Sequence, residues 1–214
     1  MSFSQFSTWL FDVDGTLIDS TSAVVECMKK TALEMGGEVT DEVELKASFG
    51  KGLMNTLGPW VPEGQVDAAI EQYMRNFHSI VGDNIQLYDG VIEILDTLYK
   101  KAIPMGIVTG NKMSEMQGIF QKLEIKDYFG AIICADSIPF QKPSPEPVVE
   151  ALKLLNRPLE GAVFVGDSEH DIRAGKLAGI KTIAVLGGSS PEARLRAAEP
   201  DCVLESITEL VGKI

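Results

Sequence analysis

The sequence predicts an α/β fold, a doubly wound and mainly parallel sheet, interrupted by an all-helical insertion. Three observations carry this prediction. Short apolar runs rich in β-branched residues recur along the chain. Helical periodicity fills the intervals between most of them. One interval, of over ninety residues, is far longer than a simple crossover, and 20–86 shows helical periodicity without a convincing strand.

Trp9-Leu10-Phe11 reads as the first strand, ended by the acidic, glycine-containing 12–15. Gly106-Ile107-Val108 reads as the second, ended by Thr109-Gly110-Asn111. Ala131-Ile132-Ile133-Cys134 is the third, and Ala162-Val163-Phe164-Val165 the fourth, ended by Gly166-Asp167. Thr182-Ile183-Ala184-Val185 is the fifth, ended by Gly187-Gly188. Between them, Val91, Ile94, Leu95 and Leu98 keep the 3.6-residue period, as do Ile119, Phe120 and Leu123. Ser168 and Asp171 have capping-box spacing with Asp in place of Glu, and Gly179 is placed to close that helix. In the insertion, Val24, Val25, Met28, Ala32 and Met35 share one helical face; Val66, Ile70, Tyr73, Met74 and Phe77 share another. The joints fall near 18–22 and 85–90. The expected domains are therefore 1–19 with 86–214, and a helical 20–85.

Composition narrows the function classes. The 214 residues are 45% hydrophobic and 23% charged, as in an ordinary globular chain and unlike a disordered one. No apolar run approaches the roughly 18 residues of a membrane span, so no membrane partner is expected. A formal charge of −12, from 19 basic and 31 acidic residues, argues against general nucleic-acid binding but allows a local basic pocket. Cys27, Cys134 and Cys202 are odd in number and scattered, which is not a disulfide framework. Residues 1–8 lack the basic and apolar regions of a signal peptide, and a cytoplasmic location is the expectation.

Four segments carry candidate chemistry. In Asp12-Val13-Asp14-Gly15-Thr16, two carboxylates lie two positions apart just beyond a buried strand. Crowding anions there costs free energy unless a cation or shared proton neutralises them, and Mg²⁺ accepts oxygen ligands of this kind. Alone, such a run is often only a solvated turn. Thr109-Gly110-Asn111 offers a hydroxyl and backbone N–H groups to phosphate oxygens, or simply a strand cap. Lys142-Pro143 offers a compact cation able to neutralise a nucleophile and a phosphate together, though a lone lysine before a turn is usually solvated. In Gly166-Asp167-Ser168-Glu169-His170-Asp171, Asp167 can complete a metal site; Asp171 can hold Lys142 or a metal-bound water, serve the cap, or both. Ligands of open parallel sheets bind beyond the carboxyl ends of the strands, and all four segments fall at or just after such ends. Together they supply the nucleophile, charge neutralisation and leaving-group acid that phosphate-monoester hydrolysis requires.

In order and spacing these motifs resemble those of the haloacid dehalogenase superfamily, and the likeness covers essentially the whole chain. The helical insertion corresponds to that family's C1 cap, on a Rossmann-like core. The run Asp14-Gly15-Thr16-Leu17-Ile18-Asp19-Ser20 is similar to the phosphoglycolate phosphatase-like branch. The resemblance implies Asp12 as nucleophile forming an aspartyl-phosphate, and Asp14 as acid and then base. It implies Mg²⁺ held by the Asp12 carboxylate, the Asp14 backbone carbonyl and Asp167. Thr109, Lys142 and the adjoining Gly110 and Asn111 would bind the phosphoryl group, with Thr16 and Asp171 in support. The implied partner is a small phosphorylated metabolite. Asp14 disfavours dehalogenation, the first motif is not that of phosphonatases, and Val24 stands where phosphomutases of the branch carry a histidine. Phosphatase action is the leading expectation, with inorganic pyrophosphatase or a sugar-phosphate enzyme as alternatives. A phospho-accepting signalling module, which also clusters aspartates around Mg²⁺, is usually half this length and has its lysine in a different order. In the cap, Phe49-Gly50-Lys51-Gly52 falls where the branch places its specificity loop, so Lys51 could meet a substrate carboxylate or second phosphate; a solvated lysine serves equally well. Pro59-Trp60-Val61-Pro62 reads as the corner of a helical hairpin rather than a lid.

Overall fold

The structure, a computed structural model, describes residues 3–48 and 53–214. It divides into two compact units, Met1–Asp19 with Gln86–Ile214, and Ser20–Ile85.

The larger unit is built on six parallel strands: β1 (Thr8–Phe11), β4 (Met105–Val108), β5 (Ala131–Ile133), β6 (Ala162–Gly166), β7 (Lys181–Val185) and β8 (Cys202–Leu204). Their order is β5-β4-β1-β6-β7-β8. The chain leaves β1 toward β4 and β5, then returns to build β6, β7 and β8 on the other side. The switch point of the topology is therefore the crevice beyond β1 and β6, where open α/β sheets bind ligands. Phe11 pairs with Val165 and Val108 with Ile133, so the residues that follow these strands emerge at one edge.

Strand alternation divides the core between two faces. Leu10, Val108, Ile133 and Phe164 pack with Val148, Ala151 and Leu152 of α7 (Glu146–Leu154) and Ala174 and Ala178 of α8 (Glu169–Ala178). Trp9 and Phe11 point the other way and stack at 5.9 Å, within a chain of rings from Phe3 and Phe6 to Phe129. The apolar stripe of α5 (Val91–Lys100), Val91, Ile94, Leu95 and Leu98, is fully buried, as its period requires. The remaining core helices are α6 (Met113–Leu123) and α9 (Glu192–Ala197).

In the larger unit, three details differ from the sequence expectation. β8 was not foreseen: Cys202 and Val203, half-buried, and the buried Leu204, behind Glu199-Pro200-Asp201, give too short an apolar run to register. Cys134 lies outside β5, its amide donating to Ser137 Oγ at 2.9 Å in a turn. A two-residue antiparallel pair, β2 (Ile18–Asp19) with β3 (Gln86–Leu87), sits at the joints. Two residues cannot show a period, so this pair has no local signature.

The smaller unit consists of α1 (Thr21–Glu34), α2 (Glu42–Ala47), α3 (Leu53–Leu57) and α4 (Val66–Asn84). Helices α1 and α3 pack on α4. Asp41 caps α2 by accepting from the amides of Val43 and Glu44. Among the described side chains, the buried face of α4 is Ala69, Tyr73, Asn76, Phe77 and Ile80, rotated from the expected one. The face includes a polar residue: Asn76 donates to Thr31 Oγ1 at 3.0 Å and to Glu34 at 2.7 Å, so its burial is satisfied across α1. Trp60 ends a short 3-10 helix, Gly58–Trp60, between α3 and α4, and is buried at that corner. No helix among the described residues is long and apolar enough to cross a membrane.

Candidate active site

Asp12 follows β1 and Asp167 follows β6, on either side of the switch-point crevice. Asp12, Asp167 and Asp171 each present an oxygen within 4.8 Å of the others'. Lys142 joins them from the segment between β5 and α7. Its Nζ lies 2.8 Å from Asp12 Oδ1 and 2.6 Å from Asp171 Oδ1, and donates to the Val108 carbonyl at 3.0 Å. The ammonium also sits 5.7 Å from the centre of the Phe164 ring. Asp167 and Asp171 have no exposed surface, and Asp12 and the Lys142 side chain are buried to about nine-tenths.

Burial acts on Asp12, Asp167 and Lys142. It pushes the Asp12 carboxyl well above the usual carboxylate range; Lys142 opposes this rise, and Asp171 and Asp167 add to it. Asp167 is pushed up to about 6 by burial and by Asp171, against hydrogen bonds from Ser189. For Lys142, burial works downward, but Asp12 and Asp171 outweigh it and the amine is held above its ordinary value. One ammonium cannot neutralise three buried carboxylates. The uncompensated negative charge and the all-oxygen donor set fit a hard divalent cation such as Mg²⁺.

Asp171 serves the cap and the lysine at once. Oδ2 accepts from the Ser168 amide at 3.0 Å and from its hydroxyl at 2.6 Å, while Oδ1 meets Lys142. Gly179, at φ +82°, closes the helix. Thr16 donates to Asp167 Oδ1 at 3.2 Å. Gly15 between the motif aspartates and Thr16 is required twice: its φ is +76°, and a Cβ would come within 2.4 Å of Asp167 Oδ2.

The Asp14 carboxylate stands outside the three-aspartate group. It accepts from Asn111 Nδ2 at 2.5 Å. Asn111, an expected phosphate contact, is thus hydrogen-bonded to the expected acid/base. Thr109 is buried at the end of β4, its Oγ1 accepting from the Asn111 amide at 3.2 Å; Gly110 is exposed. The N-terminus of α6 is already served by carboxylates of this chain, Glu115 on the Lys112 amide and Asp136 on the Met113 amide. Lys51 lies outside the described residues.

Sequence reasoning missed Ser189. Its amide and hydroxyl donate to Asp167 Oδ2 at 2.5 and 2.7 Å. The only local signal was the cluster Gly187-Gly188-Ser189-Ser190 after β7, which reads equally as a strand stop.

A parallel sheet with a buried lysine–carboxylate cluster at its switch point is suited to manage negative charge. The chain belongs to the haloacid dehalogenase-like hydrolases, whose family profile matches residues 9–185. It is an enzyme of that family, of the phosphoric monoester hydrolase class. A protein named pyrophosphatase PpaX from Anoxybacillus flavithermus is 32% identical over 97% of this chain and 96% of its own. PpaX of Bacillus cereus is 29% identical over 97% and 95%. Among solved structures, a predicted phosphoglycolate phosphatase from Haemophilus somnus superposes with a TM-score of 0.88 at 21% identity, covering 96% of each chain. A haloacid dehalogenase-like family hydrolase from Streptococcus pneumoniae gives 0.84 at 24%, covering 97% of each. At these identities the structural likeness carries the fold alone.

Proposed function

We propose that the chain is a Mg²⁺-dependent phosphatase acting on a small-molecule phosphate monoester through an aspartyl-phosphate on Asp12. The observation that carries this is Lys142 Nζ, held between Asp12 and Asp171 at the switch-point crevice. A lysine so placed opposes the rise that burial imposes on Asp12 and so favours the ionised carboxylate that attack on phosphorus needs.

An Asp12 oxygen attacks phosphorus, and the bond to the leaving oxygen breaks. Asp14 gives that oxygen its proton, oriented by the Asn111 amide on its carboxylate. Asp14 then takes a proton from water as the water attacks the phosphoryl group, which releases phosphate and restores Asp12. Lys142 and the Thr109 hydroxyl donate to the phosphoryl oxygens. Asp12, Asp167 and the Asp14 backbone carbonyl would hold Mg²⁺, which when bound supplies charge neutralisation between nucleophile and phosphoryl group. By likeness to capped members of the family, the helical unit 20–85 would choose among leaving groups, with Lys51 as a candidate contact.

Pyrophosphate is a second substrate reading, favoured by the PpaX relatives at 29–32% identity over nearly the whole chain. The leaving group is then phosphate itself, and the same roles apply. Phosphate release from phosphoglycolate, pyrophosphate, several sugar phosphates and nitrophenyl phosphate, with Mg²⁺ and with EDTA, tests both readings. Release that EDTA abolishes is expected, and the ratios of kcat/KM choose the substrate. Release undiminished by EDTA would refute the metal dependence. A lack of release from all of them would count against the proposal.

A further inference from the structure

We propose that Ser189 is a positioning residue for the metal ligand Asp167, fixing which carboxylate oxygen faces Asp12. This rests on the Mg²⁺ reading above and adds a residue from β7's exit loop, a segment with no part in the four motifs. The two oxygens of Asp167 are held unequally. Oδ2 takes two donors from a single residue, the Ser189 amide at 2.5 Å and its hydroxyl at 2.7 Å. Among the described residues, Oδ1 takes only the longer Thr16 contact at 3.2 Å. A charged acceptor gains most from short, paired donors, so the carboxylate is pinned through Oδ2. Oδ1 is then the oxygen left to a cation. The loop can approach this closely because residue 188 is glycine: a Cβ there would lie 2.2 Å from Oδ2. The Asp167 carbonyl accepts from the Ser190 amide at 3.4 Å, which ties the same loop to the other end of the residue.

Partners of metal ligands typically contribute 10–100-fold to metal affinity. In S189A the amide donor remains and the hydroxyl is lost, so the lower end of that range applies. The test is the rise of the thermal midpoint with Mg²⁺ concentration, measured on the full chain without substrate, for wild type, S189A and S189T. Midpoints in EDTA give the stability of each protein without metal. The expected result is apparent Mg²⁺ affinity about tenfold weaker in S189A and within about threefold of wild type in S189T, which keeps the hydroxyl. Affinity in S189A within about twofold of wild type would overturn the proposal, and so would equal weakening in both variants. No Mg²⁺-dependent shift in wild type would overturn the metal reading along with it.

Discussion

Lys142→Met removes one charge from the centre of the site and keeps the length of the side chain. The variant leaves Asp12 and Asp171 facing each other without the ammonium that meets them at 2.8 and 2.6 Å. Removing one partner of a buried ion pair costs about 3–5 kcal/mol. For a chain of this size, 1 kcal/mol shifts the thermal midpoint by roughly 2–4 °C, so a drop of about 6–20 °C is expected at pH 8 in EDTA. The loss depends on pH, and its sign follows from Asp12. Burial already raises that carboxyl, and Lys142 is the main influence holding it down. Without the lysine the folded-state value rises further, so the folded variant binds a proton that the unfolded chain, titrating near 4, releases. Stability of the variant therefore falls as pH climbs from about 4 through the raised folded value. As pH falls through that raised value, Asp12 takes up its proton and part of the penalty is relieved, so the loss at pH 5 is expected to be smaller than at pH 8. About 1 kcal/mol, for the Val108 carbonyl that loses its donor, remains at any pH. Thermal melts of both proteins in EDTA at pH 5 and pH 8 make the comparison. A midpoint loss of the same size at the two pH values, or none at pH 8, would refute the coupling of Lys142 to buried carboxylates.

Asp12→Asn keeps the size of the side chain and removes the nucleophile. Multiple turnover should fall by about 10⁴-fold or more with an unchanged far-UV circular dichroism spectrum, and appreciable turnover would remove Asp12 as nucleophile. Asp14→Asn retains a carbonyl that can accept from Asn111. Its kcat should drop by roughly 10²–10⁴-fold, the range of general acid–base catalysis, and most for substrates with poor leaving groups. Equal losses for a nitrophenyl ester and an alkyl phosphate would argue against leaving-group protonation by this residue.

What the sequence made legible, and what it hid, follows one physical rule. A residue just past a buried strand announces itself, because the apolar run fixes where the strand ends and parallel topology carries those ends to one edge. Asp12, Thr109 and Asp167 were found in this way, and they emerge beyond β1, β4 and β6. Lys142 has no strand beside it. Its signal was the order of the motifs, and its place between two carboxylates comes from tertiary folding. The Asp14–Asn111 pair was hidden although both residues were candidates, since a hydrogen bond spanning 97 residues leaves no spacing pattern. The rotated face of α4 was hidden for a related reason. Asn76 counts as polar in any periodicity, yet its donors are met by Thr31 and Glu34 on another helix, so it can be buried.

Ser189 is the extreme case. Serine after two glycines is the ordinary composition of a loop, and only the approach of that loop to Asp167 gives it chemistry. The same loop shows why the glycines near this site are not interchangeable with their neighbours. Gly15 and Gly188 come at the Asp167 carboxylate from two strands, β1 and β7, and each would drive a Cβ within 2.4 Å of Oδ2. An acid with no exposed surface, its pKa pushed up to about 6, is enclosed by the backbone at Gly15 and Gly188 and by the hydroxyls of Ser189 and Thr16. Asp12 and Lys142 are marked by the motifs; the surroundings of this last carboxylate come from loops whose sequence is permissive and whose packing is not.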